Sequence, residues 1–149
     1  MTPRRFTVLA LAGLLSVTAG ATVFAASPMN AADLVAARQA SMKEDGRTLK
    51  GSDAFTGDKA IEALTTVEAN YTKLPSRFPK GSLTDRSNAL PIIWEQFDQF
   101  TAIFKKGADA AADGIAAVKA GDMERYKADI KLIASTCNEC HNTYRAKRN

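Results

Sequence analysis

Cys137, Cys140 and His141 spell Cys-x-x-Cys-His close to the C-terminus, and they use both cysteines and the single histidine of a 149-residue chain. That spacing reads as a c-type haem attachment site. Two thiols add across the two vinyl groups of the porphyrin while the neighbouring imidazole takes one axial position on the iron. Positions i, i+3 and i+4 of a helix share a face, so a single turn presents both sulfurs and the ligand to one macrocycle. The motif therefore asks for a helix at the C-terminal end and for a fold that closes around a flat, apolar group. Competing readings meet obstacles. A structural zinc site takes four Cys or His ligands, and only three such residues exist here. A thioredoxin-like pair belongs beside a strand–helix–strand pattern, whereas the surroundings here are helical throughout. A plain disulfide in a haem-free helical adaptor is the remaining alternative.

The N-terminus bears on the compartment. Arg4 and Arg5 precede an uncharged apolar stretch from Phe6 to Phe24, followed by small residues at Ala25 and Ala26. This order describes a secretory signal peptide, with cleavage expected before Ala26, so that residues 1–25 are removed and residues 26–149 form one domain. A transmembrane anchor is the competing reading, which the alanine, glycine, serine and threonine content weakens. Export to the bacterial periplasm suits covalent haem attachment, which takes place outside the cytoplasmic membrane. Cleavage would remove Arg4 and Arg5 and no acidic residue, lowering the formal charge from +4 to +2. The high pI is thus no sign of nucleic-acid binding, which requires a clustered basic face.

Hydrophobic periodicity predicts four helices and no strand. The first runs from Ala31 to about Leu49 with Leu34, Arg38, Met42, Asp45 and Leu49 on one stripe, a stripe interrupted by polar residues. The second spans Asp58 to Leu74, with Ile61, Leu64, Val67 or Glu68, Tyr71 and Leu74 inward, and Pro75 is expected to stop it. Residues 75–91 carry three prolines and several turn formers and read as the one long loop. The third helix starts near Pro91 and follows Ile93, Phe97, Phe100, Phe104, Ala111, Ile115 and Val118. Gly121 ends it, and Asp122 is a good N-cap for the last, whose inner stripe runs Tyr126, Ile130, Ile133, Cys137, Cys140 and Tyr144. The expected fold is all-α, an antiparallel four-helix bundle with covalently bound haem near the C-terminus; bundles of this kind hold cofactors between facing helices. The aromatic stripe Trp94, Phe97, Phe100 and Phe104 is expected to be mainly core.

A C-terminal Cys-x-x-Cys-His in a helical bundle resembles the class II c-type cytochromes, the cytochrome c′ family, over the whole chain after the leader. The ending Cys137-Asn138-Glu139-Cys140-His141-Asn142-Thr143-Tyr144-Arg145 carries most of the likeness, and Arg38-Gln39-Ala40-Ser41-Met42-Lys43 resembles the segment lining the opposite haem face. The runs from Ser41 to Arg47, from Leu74 to Pro79 and from Pro91 to Trp94 are similar to the low-spin members in particular. The resemblance implies one covalent haem c, with His141 and Met42 as axial ligands of its iron and Met42 as the discriminating residue. In typical cytochromes c′ that sixth position is empty and open to small gases such as nitric oxide. Methionine is also a common core filler, so packing without ligation is the alternative for Met42. Met29 and Met123 are less well placed. The resemblance also gives Arg38 a haem propionate as partner, against an exposed arginine, and places Arg145 near the histidine, against a cation that completes a helix C-terminus with Lys147 and Arg148. With both axial positions filled an enzymatic role is not expected. The expected function is single-electron transfer between redox proteins of a respiratory or photosynthetic chain, with homodimerisation, common in the family, left open.

Overall fold

The computed structural model describes residues 29–147. The expected leader, its cleavage site and Arg148 lie outside them. Within them the chain forms α1 (Ala31–Thr48), α2 (Gly57–Lys73), a single turn α3 (Ile92–Glu95), α4 (Phe97–Ala120) and α5 (Met123–Tyr144), joined by 3-10 turns at Ser52–Ala54 and Leu74–Arg77. The four long helices make the expected four-helix bundle. Among the described residues no helix is long and apolar enough to cross a membrane.

The helix limits follow local chemistry. Asn30 caps α1 by accepting the Asp33 amide at 2.9 Å, and Asp122 caps α5 through the Arg125 amide at 2.9 Å. Both satisfy a backbone donor that the first turn leaves without a partner. Between α4 and α5, Gly121 adopts φ 77°, the left-handed conformation that closes a helix at little cost for glycine. Pro75 does not stop the second helix cleanly; it sits in the first residues of the 3-10 turn that continues it.

The third segment differs from the expected single helix. Gln96, at φ −125° and ψ 40°, leaves the helical region between α3 and α4, and its side-chain carbonyl accepts the Tyr144 hydroxyl at 3.2 Å. The break changes the phase of the aromatic stripe. Phe97 lies 38% exposed, and Trp94, half-buried, spends its indole N–H on the Phe78 carbonyl at 3.0 Å. Phe100 and Phe104 stay in the core as expected.

Two seams of different kind build the bundle. Helix α4 packs extensively on α2 and α5, and small residues permit the approach: Ala60 on α2, and Gly107, Ala110, Ala111 and Gly114 on α4 are all buried. A Cβ on Gly107 would collide with the Tyr71 ring, and one on Gly114 would sit 2.7 Å from Leu64 Cδ1. Helix α1 is attached differently. It packs on α2 and on the 74–77 turn and has little direct contact with α5. Its buried residues are Val35, Arg38, Ser41 and Asp45, one apolar side chain among four. Buried polar groups persist only when hydrogen-bonded, and these are. Asn70 of α2 donates to Asp45 at 2.8 Å and accepts from Ser41 at 3.2 Å, while Arg77 donates to the Ala37 carbonyl at 3.0 Å and to the Ser41 hydroxyl.

Candidate functional site

Because α1 stands off from α5, a cleft of about 460 Å³ opens between them. This lies within the range of small-molecule and cofactor sites, roughly 300–1,000 Å³. Met42 of α1 and Cys140 and His141 of α5 line it together. Phe78, Ile93, Phe100 and Tyr144 supply the apolar part of the lining; Arg38, Lys43 and Arg145 supply its cations, and among the described residues no carboxylate lines it. An apolar interior with a purely cationic set of charges suits a flat macrocycle that carries two carboxylates.

The C-terminal end of α5 brings two of the three motif residues into the cleft lining. Cys140 is buried in the cleft wall and His141 half-buried beside it. Burial, with the Cys137 sulfur adding to it, pushes the Cys140 thiol up to about 12. Burial chiefly, and then Arg145, hold the imidazole of His141 below its ordinary value, favouring the neutral form that an axial ligand must have. Both cysteines are free thiols rather than a disulfide. Cys137 does not line the cleft; its sulfur lies 3.4 Å from the Tyr71 hydroxyl on the α2 side. Thioether attachment through both cysteines would therefore join one macrocycle to a sulfur in the cleft wall and to another at its α2 side.

Met42 is half-buried in the cleft, one turn beyond Arg38 on α1. Met29, at 48% exposure, and Met123, at the start of α5 and packed against the core, are elsewhere. Arg38 departs from the exposed alternative: it is 3% exposed. Its guanidinium donates to the Arg77 carbonyl at 3.2 Å, the Ser82 hydroxyl at 3.1 Å, the Ser82 carbonyl at 2.9 Å and the Ser87 hydroxyl at 2.9 Å. It also stacks 4.4 Å from the Phe78 ring centroid. Arg38 thus folds the 77–87 segment against the bundle while still reaching the cleft. Arg145 leaves α5 in extended conformation, exposed at the cleft edge beside His141.

Several lining residues carry no sequence signature for that role. The 78–91 segment, legible as a loop, forms one wall through Phe78, Ser87, Asn88 and Ala89. It is clasped to the end of α5 by Leu90 N–H on the Tyr144 carbonyl at 2.9 Å and Ala146 N–H on the Asn88 carbonyl at 2.8 Å, around an isolated antiparallel bridge of Ala89 with Arg145. Tyr144 was on the inner stripe of the last helix; its periodicity alone marks it as buried.

Known proteins place this arrangement. The family described as "Cytochrome C′" matches residues 31–145, which takes in α1, the whole cleft and the attachment motif. Cytochrome c-556 of Agrobacterium tumefaciens (strain II Chrys) is 34% identical over 119 residues, covering 74% of this chain and 95% of its own. The solved cytochrome c′ from Rhodopseudomonas palustris is 31% identical with a TM-score of 0.68, over 78% of this chain and 98% of that one. A further cytochrome c′, described by a ligand-controlled dimer dissociation, shares the fold at TM-score 0.71 and 18% identity, over 81% of this chain and 100% of that one. From the motif, the cleft and these likenesses together, the chain belongs to the cytochrome c′ family and binds a single, covalently attached haem c.

Proposed function

We propose that this protein is a periplasmic monohaem cytochrome carrying single electrons between redox partners, with His141 and Met42 as axial ligands. The observation that carries the reading is that Met42 and His141, from different helices and 99 positions apart in the sequence, line one cleft. When bound, haem supplies a one-electron couple, and methionine opposite histidine raises its potential. The chain's own part is steric and electrostatic. Phe78, Ile93, Phe100 and Tyr144 exclude water, and the Arg38 and clasp hydrogen bonds hold the walls still. Lys43 and Arg145 present positive charge at the cleft for the propionates, with Arg38 beside them. A carrier of this kind needs no acid–base pair, and we infer no catalysis. The periplasmic address rests on the Arg4–Arg5 leader pattern and on the family's location in bacteria.

A second reading is a five-coordinate member in which Met42 stands aside and small gases such as nitric oxide reach the distal position. Its support is that relatives named cytochrome c′ match as well as the c-556 type and that Met42 is only half-buried. A visible absorption spectrum separates the two. We expect a six-coordinate, low-spin ferric spectrum and a reduced form that does not readily bind carbon monoxide. A high-spin spectrum with rapid carbon monoxide binding would overturn Met42 ligation. Met42→Ala should convert the protein to the high-spin type and lower its potential; an unchanged spectrum would count equally against ligation.

A further inference from the structure

The second face of the attachment motif carries a contact that the axial ligands do not explain. Tyr71 of α2 is buried, with its hydroxyl 3.0 Å from Thr136 Oγ1 and 3.4 Å from Cys137 Sγ. The ring cannot shift easily. It lies against the bare backbone of Gly107, where a Cβ would collide with it, and edge-on to Phe104 at 5.7 Å between centroids. Burial foremost, with Cys137 adding, holds the phenol well above its ordinary value, so the hydroxyl keeps its proton at any physiological pH.

Counting protons assigns the direction of these bonds. Thr136 donates its hydroxyl proton to the Ile133 carbonyl one turn back, at 2.6 Å. A free Cys137 thiol has a proton of its own, but a thioether sulfur has none and can only accept. Once Cys137 is joined to haem, the one proton left in the cluster is that of Tyr71, shared between Thr136 Oγ1 and the sulfur.

We infer that Tyr71 is a hydrogen-bond donor to the Cys137 thioether and thereby tunes the haem reduction potential from the side away from the ligand cleft. The inference rests on the haem attachment of the family and gives the proposed carrier a tuning residue beyond its axial ligands. Hydrogen bonds around a redox centre set its potential. Donation to the sulfur withdraws electron density from the haem edge and favours the reduced state. Tyr71 and Thr136 then act in opposition: Thr136 draws away the proton that the sulfur would otherwise receive in full.

The test is a spectroelectrochemical titration of the haem-loaded Tyr71→Phe and Thr136→Val proteins against the parent. Tyr71→Phe keeps the ring and removes the proton, so the midpoint should fall. Thr136→Val removes the competing acceptor, so the midpoint should rise. A fall in Tyr71→Phe together with a rise in Thr136→Val supports the inference; no shift, shifts of the same sign, or the reverse pair overturn it, because a structural disturbance would not move the two variants in these opposite directions. Should Tyr71→Phe fail to accumulate as folded protein, a rise in Thr136→Val alone supports the inference and its absence overturns it. The absorption spectrum recorded in the same titration reports axial ligation separately, so a failure of Met42 ligation and a failure of this inference remain distinct.

Discussion

The two sides of this bundle solve the same problem with opposite chemistry. Where α4 meets α2 and α5, glycine and alanine let the backbones approach, and the seam is closed by Leu64, Val67, Ile130 and Ile133. Where α1 meets its neighbours, Val35 is buried beside an arginine, a serine and an aspartate, and these three are held by hydrogen bonds to Asn70, Arg77 and the 77–87 segment. The first seam is self-sufficient, since apolar burial drives it without help. The second depends on polar partners drawn from other elements, and Met42 on its cleft side is only half-buried. The difference teaches that α1 is held by polar partners where α5 is held by apolar packing, so that a cofactor bound in the cleft would matter more to the support of Met42 than to that of His141.

The largest expected effect follows from removing that cofactor. In the Cys137→Ala/Cys140→Ala chain, amide hydrogen exchange should remain slow in α4 and α5 and become fast in α1 and in 78–91, because locally weak units open first. Equal protection in all four long helices would break the comparison.

The polar seam should also feel pH through Asp45. Asp45, 4% exposed, has its carboxyl raised to about 6, by burial first, with Glu44 adding and Asn70 and Arg77 opposing. Its folded-state value exceeds the unfolded one, near 3.9, so the folded chain holds this proton more tightly. The contribution is fully present below about pH 4 and is lost as pH rises through 6, amounting to about 3 kcal/mol at most. Denaturant titrations of the parent and of Asp45→Asn from pH 4 to 7 should differ in slope over that window, the variant being flatter. Parallel curves would show that the carboxyl ionises freely.

The smallest effects distinguish glycine from glycine. Gly107→Ala should cost about 2 kcal/mol through overpacking against Tyr71. Gly46→Ala, in α1 with nothing near its would-be Cβ, should instead stabilise the protein by about 0.5–1 kcal/mol from helix propensity. Chemical denaturation reads both, and a like sign for the two would blur the contrast between the seams.

Much of this was legible from residue order alone. The limits of α1, α2 and α5 lie close to where periodicity, Asp122 and Gly121 place them, because caps and stripes are local. The break at Gln96 was not legible: its side-chain partner, Tyr144, lies 48 residues away. Arg38 and Asp45 were visible as polar interruptions on an inward stripe. Their purpose was not, since their partners come from a loop and a helix more than twenty positions off. The attachment motif and Met42 could be found by spacing and resemblance. The cleft wall of 78–91 could not, because a loop's composition does not say where it folds.

The clasp at the cleft mouth has a consequence for how this site can change. Leu90, Ala146, Asn88 and Tyr144 meet there through main-chain groups alone, a bond pattern indifferent to most side chains. Residues at that threshold, Asn88 and Arg145 among them, are therefore free to vary in size and charge without unfastening it. Successive generations, or a protein engineer, can redraw what the entrance admits while the door frame keeps its shape.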